Sequence, residues 1–177
     1  MTRVGKMGAS AVFVAFGIVL PIMFHFVGAM GSIFLPMHIP VLMAGLFLGP
    51  ISGLTVGVMT PILSSLLTGM PPLMPVLPLM MLELAAYGAV SGYLYRERQL
   101  PLAVALVAAL IAGRMAVLVG VWGLANLLQL KLTVMVYAAG FAKGLPGIVV
   151  QLIAIPFLVK RLESSFNKNN FIHESES

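Results

Sequence analysis

Glu83, Arg114 and Lys143 are charged residues set inside long apolar runs of this sequence. In hydrocarbon such charges are costly, so they face a bundle interior or a cavity and pair with other polar groups. Helical stepping gives each of them companions. Glu83 and Tyr87 are one i,i+4 step apart. Arg114 leads by the same steps through Leu118 to Trp122 and Asn126, and Lys143 leads through Gly147 to Gln151. His38, at the start of an apolar run, is an uncharged candidate. Converging, these groups offer charge, amides and ring faces, a set that binds small polar ligands with an aromatic or carboxylate part. Two cations against one carboxylate favour an anionic group on that ligand. A structural reading stands beside each functional one. Glu83 and Arg114 form an ion pair that locks two helices. Lys143 snorkels to an interface, Trp122 sits in an aromatic belt, and Tyr87 packs.

Catalytic constellations are missing. The chain has no Cys and no Asp, and its five acids are Glu83, Glu97, Glu163, Glu174 and Glu176. Thiolate chemistry and iron–sulfur ligation are therefore excluded. Neither Ser52-Gly53 nor Ser91-Gly92 has a Gly two places before its Ser, as a rhomboid-type nucleophile requires. No phosphate-binding Gly-x-x-x-x-Gly-Lys-Ser/Thr is present. His25 and His38 alone are weak evidence for a metal. The expectation is no catalytic residue, no metal and no cofactor in this chain.

The elements that position these residues follow from composition. Of 177 residues, 60% are hydrophobic and 8% charged, with a mean hydropathy of +1.09. A soluble domain carries about a quarter charged residues, so a soluble enzyme, a nucleic-acid-binding domain and a disordered chain are excluded. No Lys, Arg, Asp or Glu occurs from Met7 to Leu82. At about 20 residues per crossing, that stretch alone makes several spans. Pro, Gly and charge divide the chain into apolar segments at 7–28, 34–49, 52–68, 75–95, 102–124 and 136–159, followed by a polar, flexible tail at 163–177. Continuous rather than alternating apolarity argues for helices, not a barrel. The second segment is short for a crossing. Basic clusters precede the first segment (Arg3, Lys6), follow the fourth (Arg96, Arg98) and follow the sixth (Lys160, Arg161, Lys168). With all three cytoplasmic, the reading is an all-α integral membrane protein: one domain, a six-transmembrane-helix bundle with both termini cytoplasmic. Glu83, Arg114 and Lys143 then lie between the midplane and the outer surface, forming a pocket that opens outward. A self-contained small secondary transporter or channel is the alternative, though no inverted repeat is visible.

The segment Leu35-Pro-Met-His-Ile-Pro-Val-Leu-Met-Ala-Gly-Leu-Phe-Leu-Gly-Pro50, with Gly53 and Gly57 after it, resembles the second and third helices of the substrate-binding S components of energy-coupling-factor (ECF) vitamin transporters. Glu83-Leu-Ala-Ala-Tyr87-Gly and Gly113-Arg114 are similar to the vitamin-specific branch, and Ala11-Val-Phe-Val-Ala15 matches the family's first-helix Ala-x-x-x-Ala. The resemblance implies high-affinity binding of a vitamin or precursor on the outer face of a prokaryotic cell membrane. It implies docking through Ala11 and Ala15 on a transmembrane T subunit, with ATP hydrolysed by two ATPase partners. It maps the pocket to residues 31–38, Glu83, Tyr87, Arg114, Trp122, Asn126, Lys143 and Gln151. Its nearest members are assigned to pantothenate or to α-ribazole. The metal-specific branch is disfavoured, because Met37-His38-Ile39 is internal and cannot use a terminal amine.

Overall fold

The computed structural model describes residues 2–25, 36–128 and 144–161. Every regular element among them is helical. In chain order these are α1 (Arg3–His25), α2 (His38–Leu48), α3 (Pro50–Thr68), α4 (Val76–Gly92), α5 (Leu102–Leu128) and α6 (Gly144–Arg161). A single π turn, Tyr93–Glu97, continues α4.

Five of these six helices are long and apolar enough to cross a membrane. The exception is α2, whose 11 residues reach about 16 Å at 1.5 Å each. That is about half the ~30 Å hydrocarbon core. The segment expected from residue 34 is thus helical only from His38 within the described residues.

Local chemistry explains the corners. Gly49 closes α2 with φ 100° and its N–H donates to the Gly45 carbonyl, a conformation open to glycine and strained for other residues. Pro50 then opens α3, where its missing N–H costs no hydrogen bond and its fixed φ suits a first helical residue. At the far end of α3, left-handed Gly69 closes the helix on the Ser65 carbonyl. Ser64 Oγ donates to the Met70 carbonyl at 2.8 Å and Ser65 Oγ to the Pro71 carbonyl at 2.7 Å. These bonds fasten the Pro-rich turn that leads into α4.

The central helix is α4, which packs against α2, α3 and α5. Its join to α2 and α3 is made backbone to backbone. A Cβ on Gly88 would lie 2.1 Å from the Gly53 carbonyl oxygen, and one on Gly53 would lie 2.3 Å from that of Gly88. Gly45 of α2 and Gly57 of α3 face α4 carbonyls as closely. Small residues allow this approach, and packing rather than hydrophobicity holds helices together in lipid. The core beside the seam comprises Leu42, Leu46, Val56, Leu84, Tyr87, Leu106 and Ala109, joined by Ile155 and Val159 of α6.

Gly88→Ala therefore overpacks the seam and lowers stability by about 1–3 kcal/mol. Gly123→Ala is the control, since nothing lies within 4 Å of its Cβ position. Thermal unfolding of both variants in detergent checks this: only Gly88→Ala should melt early.

Candidate functional site

Three helices deliver polar groups to one carboxylate oxygen. Glu83 lies midway along α4 and is buried. One turn later, the Tyr87 hydroxyl donates to Glu83 Oε1 at 2.8 Å. From α5, Arg114 Nη1 stands 2.5 Å from the same oxygen. From the first turn of α2, His38 Nε2 lies 3.8 Å from it, beyond hydrogen-bond reach. The His38 ring packs on the Tyr87 ring at 5.3 Å between centroids, tilted by 55°.

Each position has a local cause. Tyr87 needs room for its ring, and Gly113 provides it. A Cβ at Gly113 would lie 2.1 Å from Tyr87 Cε1. Gly113 thus seats the tyrosine while the next residue, Arg114, pairs with the carboxylate. His38 reaches the cluster because α2 starts there. The basic end of the bundle is marked by the contact of Arg96 Nη1 with the Phe47 carbonyl. Counting from that end at 1.5 Å per residue, His38, Glu83 and Arg114 all lie about 14–20 Å deep. That places them near the middle of a ~30 Å core or beyond it.

Two further buried groups stand out. Among the described residues, neither ring nitrogen of His38 and neither amide atom of Gln151 has a hydrogen-bond partner, although both residues are only 1% exposed. Leaving such a group unbonded costs about 1–3 kcal/mol. Gln151 lies on the buried stripe of α6 formed with Gly144, Gly147, Ile155 and Val159.

Other expected site residues are placed elsewhere. Trp122 is 67% exposed and Asn126 is exposed too. Successive i,i+4 steps overshoot a full turn by about 40° each, so two steps from Arg114 carry Trp122 off the buried face. An outward Trp near a helix end fits an interfacial aromatic belt. Lys143 lies outside the described residues. Ala11 and Ala15 are exposed on α1. Among the described residues, no three His, Cys, Asp or Glu side chains gather in a way that could hold a metal ion. The role of Gly113 went unread in the sequence; its signal is a glycine directly before an in-span arginine.

The sequence model of the family described as ECF transporter, substrate-specific component, matches residues 6–159. The chain belongs to that family. As an ECF S component it is a multi-pass membrane protein that binds a small substrate for an importer rather than an enzyme. Membership also implies T and ATPase partner subunits. Comparisons with curated proteins and with solved structures gave no match.

The Glu83–Arg114 pair in this S component is open to a double-mutant cycle. Glu83→Ala leaves a buried guanidinium without its carboxylate, a loss of about 3–5 kcal/mol for a buried pair. Glu83→Ala combined with Arg114→Met removes both charges and should recover most of it. Equal melting points for the single and double variants would show that the pair does not couple the helices.

Proposed function

We propose that the chain captures a vitamin or vitamin precursor from outside a prokaryotic plasma membrane. Five crossing helices, with α2 reaching only part of the way through and both termini cytoplasmic, set the pocket toward the outer face. The ligand contacts are His38, Glu83, Tyr87, Arg114 and Gln151, with Lys143, which lies outside the described residues, as a further one. The observation that carries this reading is that His38 and Gln151 are buried in an apolar bundle without hydrogen-bond partners among the described residues. A polar ligand satisfies both.

The pairing of Arg114 with Glu83 leaves no net charge between those two groups. It supports a ligand recognised through hydroxyls and ring nitrogens, as α-ribazole would be. Pantothenate is the second candidate, with Lys143 for its carboxylate. Docking runs through Ala11 and Ala15 of the exposed α1 face to the T subunit, and two ATPases hydrolyse ATP, so this chain needs no cofactor of its own.

Native mass spectrometry of the detergent-purified chain, followed by titration calorimetry with α-ribazole and pantothenate, tests the ligand assignment. His38→Ala and Gln151→Ala should each weaken binding by about five- to 150-fold, from the 1–3 kcal/mol of a lost buried hydrogen bond, with little change in melting point. Unchanged affinity in both variants would remove them from the pocket. Ala11→Trp should bind ligand normally yet stop uptake by the assembled complex. Ligand accumulation by the chain alone in proteoliposomes would instead favour a solitary carrier.

A further inference from the structure

A concavity lies away from the polar cluster. It is a groove of about 960 Å³ between α1 and α3 at the basic end of the bundle. The two helices meet where Gly17 abuts Thr60: a Cβ on Gly17 would lie 2.5 Å from Thr60 Cγ2. From that contact toward the basic end, the groove separates them.

The lining is divided by chemistry. Its inner mouth carries Arg3, Lys6 and Arg96 against one acid, Glu97. Three cations and one carboxylate leave a local charge of +2. The neighbouring hydroxyls are turned inward: Ser10 Oγ donates to the Lys6 carbonyl and Thr55 Oγ1 to the Ile51 carbonyl, each at 2.8 Å. Arg96 Nη1 already meets the Phe47 carbonyl, so Arg3 and Lys6, with the rest of the Arg96 guanidinium and the Ser52 hydroxyl, are the donors at the mouth. Deeper, the walls are Val14, Ile18, Val56, Met59 and Leu63. Lys6 to Ile18 spans about 18 Å at 1.5 Å per residue, close to the depth of one leaflet of a ~30 Å core. Only 6% of the α1 span is buried, so the groove opens sideways to the bilayer.

We propose that this groove binds one anionic phospholipid, its phosphodiester held at Arg3, Lys6 and Arg96 and an acyl chain lying between α1 and α3. Basic pockets between helices on the cytoplasmic side hold anionic headgroups. A zwitterionic lipid would bring the same chain, but its own cation would meet three others at the mouth. Ala11 and Ala15 border the same groove, so the lipid fills it while the chain is undocked. The assignment does not depend on which substrate the chain carries.

The test is native mass spectrometry of the full chain equilibrated with equal amounts of phosphatidylglycerol and phosphatidylcholine of matched acyl chains. The first retained lipid should be phosphatidylglycerol. In Arg3→Gln/Lys6→Gln the preference should fall about five-fold per cation removed. Val14→Trp, which fills the groove and keeps the charges, should lose the retained lipid whatever its headgroup. Met59→Trp fills it from α3 and replaces Val14→Trp if that variant does not fold. Excess inorganic phosphate should leave the lipid in place. Equal retention of the two headgroups, full retention in a folded groove-filling variant, or displacement by phosphate alone would each overturn the proposal.

Discussion

A carboxylate in an apolar bundle must be partnered, and the architecture of this chain is arranged around that requirement. Glu83 sits on α4, the helix that touches α2, α3 and α5. Its Oε1 receives the Tyr87 hydroxyl from the same helix and Arg114 from α5, with His38 of α2 close by. Such a cluster adds little net stability, since desolvation offsets most of the attraction. What it fixes is register. A slide of one turn, about 5.4 Å, along α5 or α2 would strand a charge or a ring in apolar surroundings.

The short α2 matters for the same reason. A helix of full length would carry its first residue to the membrane surface. At 11 residues it starts at the depth of Glu83, so a residue beside a loop becomes a buried ring against Tyr87. The sharp Gly49-Pro50 corner makes this possible by turning the chain without a spacer. That keeps α2 against α3 and lets Gly45 reach the α4 backbone.

Much of this was legible from residue order alone. Uninterrupted apolar runs and Gly-Pro corners mark the helices, because a bilayer demands both continuous apolarity and internal hydrogen bonding. Glu83 and Arg114 stood out as charges in such runs. That they share one oxygen is a tertiary fact with no local signal. Trp122 and Asn126 were placed with Arg114 by counting fours, but each step adds about 40° of rotation and the stripe winds off the buried face. The start of α2 was hidden as well, since the apolar run begins several residues before the helix described at His38. Gln151 was visible as a polar residue in a span, whereas its lack of a hydrogen-bond partner among the described residues emerges only from packing.

The glycine seam has a consequence for how such a protein can change over generations. Where carbonyl oxygens of α3 and α4 lie within a methyl group's reach of the opposing glycines, almost no substitution is tolerated. That half of the molecule is a fixed slab. On the other side, apart from Gly113 and the Glu83–Arg114 pair, α5 and α6 meet the slab through side chains such as Leu106, Ala109, Ile155 and Val159, where volume-conserving exchanges are cheap. Selection can rework those side-chain contacts while the slab stays intact. The same scaffold can thus be retuned for a new cargo without being refolded.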